Sequence, residues 1–334
     1  MPENNTAPCV TKCLMATALN TVEMRERQLG QLAPGHVRLK TEYSMVSTGT
    51  ELHTIQGTHT QERPFPRMTG YIAIGHVVGL GEGVTDLTLG QRVLFPLAHY
   101  AMIDCPQEQC RPVPDDLPST DAVCTPLLAI SLRGVRAARV RLGDAVAVFG
   151  QGLIGLFATH LAKLSGAATV IAVEPVAARR EVALKMGADV TIDPASEDVT
   201  ARIRELTNGL GVNAAIEATA TTKVIGSLPA VTRDEGRIVV LGGIHGKAEM
   251  DLYSHFQKSN QTMIGAGHCY HSDYPYDSDW ANYAVIMKMM LSGMIRPGPA
   301  VTHRVPYTQG PEIYRMLIEE KDKAIGVQFD WREA

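Results

Sequence analysis

An α/β fold is predicted, with a doubly wound parallel sheet following a β-rich stretch of chain. Three observations predict it. From about residue 128 onward, short apolar strand patterns alternate with amphipathic helical ones, the sign of parallel βαβ units. A glycine fingerprint, Gly150-Gln151-Gly152-Leu153-Ile154-Gly155, sits between such a strand and such a helix. The first 125 or so residues are instead short β-branched runs separated by Gly and Pro. The 334 residues are 45% hydrophobic, with 30 glycines and only 5% aromatics, which suits two domains rich in tight turns.

Taken in chain order, "HVRLKTEYSMV" alternates like a half-buried strand, and "MVSTGTELHTIQG" after it reads as a functional loop. "IGHVVGLGEGV" and "GQRVLFPLA" are further short strands bounded by turn residues. "DAVAVFG" is a buried strand, and "LIGLFATHLAKLSG" is a helix closed by glycine. "TVIAVEP" is the second strand and "VAARREVALKMGA" the second helix, with "NAAIEAT" and "RIVVLGG" as later strands. Helices are expected at "DWANYAVIMKMMLSG" and "QGPEIYRMLIEEK". There is no internal repeat.

The fingerprint is in the context it needs, strand before and helix after, so a Rossmann dinucleotide site is expected. Gly150 permits the tight turn, Gly152 lets backbone approach a pyrophosphate, and Gly155 allows close helix–strand packing. Leu153 and Ile154 open the helix whose N-terminus receives the phosphates. About 20 residues on, Glu174 ends the second strand, where a carboxylate accepts ribose hydroxyls. Thr219 and Gly242, at the ends of later strands, complete the expected cofactor contacts. Glu174 would repel the 2′-phosphate of NADP and favours NAD. Arg179 and Arg180 pull the other way, since a guanidinium pairs with phosphate.

The formal net charge of −4 gives no basic footprint for nucleic acid. No apolar run approaches the ~18 residues that span a bilayer, and the N-terminal sequence lacks a basic start and apolar core, so a cytoplasmic enzyme is expected. The six cysteines form no C-x-x-C pair and read as reduced, mostly buried thiols.

With these residues assembled, nearly the whole chain resembles the medium-chain dehydrogenase/reductases, the superfamily of zinc alcohol and polyol dehydrogenases. "GQLAPGHVRLKTEYSMVSTGTELH", "GYIAIGHVVGLGEGV" and "TPLLAISLRGVRAARVRLGDAVAVFGQGLIG" carry the likeness. It implies a GroES-like catalytic domain, residues 1–127 with 270–334 returning to it, around a Rossmann domain at 128–269. Arg179 would then lie near the adenosine ribose, and a homodimer or homotetramer would be expected. The departures fall on the metal. Thr48, Tyr71 and Thr125 stand where the family has its three zinc ligands, and Ile72 where it has a Glu. The four-cysteine structural lobe is missing as well. Zinc wants thiolate, imidazole or carboxylate, so no bound metal is expected. The family's proton relay is kept at Thr50 and His53. Without zinc to acidify the alcohol, His53 is expected to act as general base. Tyr71 would assist from the vacated ligand position, and Glu51 would orient Tyr71. His99 falls on a turn that lines the substrate cleft in relatives, and Thr48 is expected beside the substrate.

"GAGHCYHSDYPYDSDW" mixes two histidines, three tyrosines and a tryptophan with aspartates. Rings cover apolar sugar faces and carboxylates bind hydroxyls. His268, Tyr270, His271 and Trp280 are therefore expected to bind a small polyhydroxylated substrate. The stretch is similar to bacterial sugar 3-dehydrogenases acting on gulosides. The expected activity is a zinc-independent, NAD-dependent dehydrogenase of a sugar, glycoside or cyclitol hydroxyl. The alternatives are a redox-neutral epimerase with tightly held NAD, an NADPH-dependent enone or quinone reductase, and a non-catalytic NAD sensor.

Overall fold

The computed structural model describes residues 4–58, 64–244, 246–267 and 279–334. The chain divides into two compact units, one of residues 1–125 with 301–334 and one of 126–300.

The first unit opens with two strands that the apolar pattern did not single out, β1 (Cys9–Ala18) and β2 (Thr21–Leu29). They form an antiparallel hairpin, and β1 inserts Cys13, Leu14 and Ala16 into the core. β3 (His36–Met45) follows, then α1 (Thr48–Ile55), β4 (Arg67–Met68), β5 (Ala73–Leu80), β6 (Arg92–Phe95), β7 (Met102–Pro106), β8 (Arg111–Pro112) and α2 (Ser119–Ala122). The stretch at Met45–Gly57, expected as a loop, is thus mostly helix. Leu52 and Ile55, three apart, bury one face of it.

In the second unit, α3 (Thr125–Ala138) leads into β9 (Ala145–Phe149), α4 (Leu153–Leu164), β10 (Thr169–Val173), α5 (Ala177–Lys185), β11 (Val190–Ile192), α6 (Val199–Leu206) and β12 (Val212–Glu217). Two short helices, α7 (Thr222–Ile225) and α8 (Leu228–Val231), precede β13 (Thr232–Val240) and β14 (Thr262–Gly265), and α9 (Asp279–Leu291) closes the unit. The strands run parallel in the order β11-β10-β9-β12-β13-β14, the doubly wound arrangement. β9 and β10 are apolar along almost their whole length, as strands covered on both faces must be. Register aligns their carboxyl ends: Phe149 lies beside Val173 on one side and Glu217 on the other, and Glu217 beside Val240.

The chain then returns to the first unit with β15 (Val301–Pro306), α10 (Gly310–Glu319) and β16 (Gly326–Asp330). The main sheet there runs β15-β16-β3-β5-β6-β8, with β7 also on β3. One edge of β3 pairs with β5; the other is shared, residues 36–40 with β7 and 43–45 with β16. The return therefore begins at residue 301, not at 270. Residues 279–300 belong with the second unit, where Arg136 of α3 donates to Asn282 of α9. Among the described residues, no helix is long and apolar enough to cross a membrane.

Candidate active site

α1 starts where β3 leaves the sheet, and its first turn carries Thr48, Thr50 and Glu51, with His53 one turn after Thr50. Residues three apart share a helix face, so Thr50 and His53 lie on one side. His53 is partly exposed, and its Nδ1 lies 2.7 Å from Thr58 Oγ1. The Tyr71 phenol donates to Ser47 Oγ at 2.6 Å. Burial pushes that phenol above its ordinary value, against the hydrogen bonds of Ser47 and Thr50, and the charge of Glu51 adds to the rise.

Glu51 faces away from this surface. It is 4% exposed, and its Oε1 accepts the Ser47 N–H at 2.7 Å. Its Oε2 accepts the Tyr314 hydroxyl and lies 3.2 Å from His99 Nε2. On the far side of the imidazole, His99 Nδ1 is 2.7 Å from Ser44 Oγ, which also accepts the Trp331 indole N–H at 2.8 Å. An Nε2–H donating to Glu51 leaves Nδ1 to pair with the Ser44 hydroxyl, so each ring nitrogen has a partner. Tyr314 is held well above the ordinary phenol range, first by burial and then by the charge of Glu51. Gly70 makes room for the ring, since a Cβ there would stand 2.5 Å from the His99 imidazole.

Two expectations change accordingly. Glu51 is not hydrogen-bonded to Tyr71; apart from its charge, it is linked to the phenol through Ser47, the residue both of them hold. His99 is fully buried with both ring nitrogens engaged, so it supports Glu51 from beneath instead of lining a substrate surface. Ser44, Ser47, Tyr314 and Trp331 were missed in the sequence. Only the two serines, inside the "YSMVST" run, carry a local signal.

Thr48 and Thr125 each bury a hydroxyl oxygen that has no hydrogen-bond partner among the described residues. The neighbouring Cys124 does not take their place. Its thiol is buried, points to Thr120 O at 3.7 Å, and is pushed up to about 12 by burial. Neutral hydroxyls from Thr48, Tyr71 and Thr125 do not suit zinc. Among the described residues no group of three His, Cys, Asp or Glu is placed to hold a metal.

At the carboxyl ends of the second unit's strands the fingerprint residues converge. Gly150 takes φ +86°, and its Cβ would strike Thr219 Cγ2 at 2.8 Å. A Cβ on Gly155 would lie 1.8 Å from the Gly150 carbonyl, whereas one on Gly152 would meet nothing within 4 Å. Leu153 is buried at the start of α4, and the carbonyl of Ile154 accepts the Ser131 hydroxyl at 2.9 Å. No side chain caps α4, so its first-turn amides are left for an anion. Glu174 is 3% exposed and accepts from Gln151 N at 2.6 Å and Val176 N at 3.0 Å, which fastens the glycine turn to the end of β10. Arg180 is spent on the carbonyls of Glu174 and Pro175, at 2.8 and 2.7 Å, while Arg179 stands 3.9 Å from Glu174 Oε1. Gly242 packs against Glu217, a buried carboxylate whose Oε1 accepts from Thr219 N, Thr219 Oγ1 and Ala220 N at 2.5–2.8 Å. Glu217 and Gln151 were not anticipated. The open space at Gly152, the uncapped helix and the acid at the end of β10 fit a dinucleotide.

Of the expected substrate residues, His268, Tyr270 and His271 lie outside the described residues. Trp280 is on α9, 41% exposed, with its ring edge-on to Tyr283 at 5.3 Å.

Residues 154–282 match the zinc-binding dehydrogenase family, and residues 33–161 match the alcohol dehydrogenase GroES-like domain. The chain is 38% identical to an alcohol dehydrogenase of Cupriavidus necator, over 92% of this chain and 94% of that one. It is 28% identical to the D-guloside 3-dehydrogenase of Escherichia coli, over 78% of this chain and 77% of that one. Its fold superposes on the crystal structure of 2R,3R-butanediol dehydrogenase from Bacillus subtilis with a TM-score of 0.84 at 22% identity, over 96% and 99% of the two chains.

Proposed function

The chain belongs to the medium-chain dehydrogenase/reductase superfamily, and on that premise we propose that it moves hydride between NAD and a secondary hydroxyl of a sugar, glycoside or cyclitol without zinc. The observation that carries this reading is the pair of buried hydroxyls of Thr48 and Thr125, unpartnered among the described residues, at positions where the resemblance puts metal ligands. A buried hydroxyl without a partner is costly, and a substrate oxygen supplies one. Family membership alone would imply zinc; the donor set argues against it.

Oxidising an alcohol removes a hydride and a proton together. Bound NAD supplies the hydride acceptor. The proton is the business of α1: the Thr50 hydroxyl hands it along the helix face, and His53, partly exposed, passes it to solvent. Tyr71 stays protonated under its burial, so it serves as a hydrogen-bond donor that fixes an oxygen, not as the base. Its donation to Ser47 is the arrangement a substrate would displace. The likeness to a guloside dehydrogenase and the aromatic–aspartate stretch near Trp280 support a polyhydroxylated substrate. NAD over NADP is supported by Glu174 and by the engagement of Arg180 with backbone carbonyls.

The test is NADH formation by the purified protein over a panel of sugars, glycosides and cyclitols, beside simple alcohols. Turnover with one polyhydroxylated class is the expected result. Reduction of an enone with NADPH, and no oxidation of any hydroxyl, overturns the reading.

A further inference from the structure

At the amino ends of β9, β12 and β13, the opposite end of the sheet from the glycine turn, the second unit has an open recess of about 280 Å³. Four arginines line it: Arg139 and Arg141 just after α3, and Arg233 and Arg237 on β13. Arg139 takes a left-handed φ of 52° as the chain leaves the helix. Arg237 Nε is fixed on the Ala137 carbonyl at 2.9 Å, and Arg233 Nε on the Asp234 carbonyl at 3.2 Å. These bonds anchor two stems and leave their terminal nitrogens without a hydrogen bond or ion pair among the described residues; Arg139 and Arg141 make no side-chain bond there at all. Two carboxylates also line the recess, Asp144 and Glu235, but neither is within ion-pair distance of a guanidinium, and Asp144 is turned onto the Arg141 backbone N–H at 2.8 Å.

We propose that this recess binds a phosphate dianion, either free or carried by a small ester. Planar guanidiniums recognise phosphate through paired charge-assisted hydrogen bonds. Four of them around one recess, only partly offset by two carboxylates that pair with none of them, form an arrangement that an anion relaxes. Burial, and after it the charge of Arg139, lowers the affinity of Arg237 for its proton. The size of the recess suits a small molecule, and the net charge of −4 disfavours a polyanionic nucleic acid. The site is separate from the dinucleotide turn and does not depend on the proposed substrate.

Calorimetric titration of the purified protein at low ionic strength, with inorganic phosphate and with glucose 6-phosphate as probes, tests the proposal. Saturable binding weakened by added salt is expected, and the tighter probe identifies the source of the phosphate. Arg141→Gln, an exposed position, and the Arg141→Gln/Arg237→Gln double variant should each weaken it by about tenfold or more. Melting curves establish that the variants fold, and the single exposed substitution remains informative if the double variant does not. Absence of saturable binding, or binding that survives both substitutions because the phosphate sits at the glycine turn, overturns the proposal.

Discussion

At the scale of single residues, His53 and Glu51 lie two positions apart and do opposite things. His53 is partly exposed on the Thr50 side, whereas Glu51 is buried among Ser47, His99 and Tyr314. His53→Ala should lower kcat by about 10²–10⁴-fold, the usual worth of a positioned base, with NAD affinity unchanged in direct titration. Equal weakening of both would instead place His53 in cofactor binding. Tyr314 gives a prediction about stability. Its phenol is held well above the ordinary value of 10.0, so folded and unfolded chains are equally protonated below that pH and its contribution is whole. Above it the unfolded chain loses the proton first, so stability declines until the folded phenol titrates. Tyr314→Phe should cost about 1–3 kcal/mol at neutral pH by leaving Glu51 short of a donor. It should also flatten the alkaline decline in urea midpoints; an equally steep decline would assign that limb to other groups.

At the scale of elements, the turn from β9 into α4 separates fold from function within six residues. Gly155→Ala sets a Cβ 1.8 Å from the Gly150 carbonyl, backbone that has nowhere to move, and should destabilise by at least about 1–3 kcal/mol in urea titration. Gly152→Ala meets nothing within 4 Å and should cost under about 1 kcal/mol, yet weaken NAD by about tenfold or more, because the methyl fills the approach of the pyrophosphate. If both variants behaved alike, the division would fail. Glu174→Ala should loosen NAD and improve tolerance of NADP; wild-type preference for NADP in direct binding would reverse the cofactor reading. This region was legible in the sequence because its signals are local: glycines at fixed offsets, with an acid at the end of the next strand. The pocket beneath α1 was not. Ser44 and His99 are 55 residues apart, Glu51 and Tyr314 263, Ser44 and Trp331 287, and no spacing rule spans such distances. The helix at Thr48–Ile55 was hidden for a different reason: Gly49 and the β-branched Thr48, Thr50 and Thr54 read as loop, and burial of Leu52 and Ile55 overrode that weak propensity.

At the scale of the whole molecule, the proposed proton relay lies in one unit and the proposed dinucleotide cradle in the other. The first unit bears the zinc question, and purified protein should contain no stoichiometric zinc, with activity unaffected by chelators. Stoichiometric metal by elemental analysis would require a donor set other than Thr48, Tyr71 and Thr125. The chain also begins this unit, leaves it at residue 125 and returns at 301, whereas the other unit is one unbroken stretch. The β16 strand that pairs with β3, and the Trp331 that bonds Ser44, are made after the second unit. On the ribosome, then, residues 126–300 can fold while the N-terminal third still lacks its partner strand. β3 waits with one edge half open, and the imidazole under α1 has no indole to fix Ser44. A nascent chain stalled before residue 301 should be able to hold the dinucleotide and should transfer no protons.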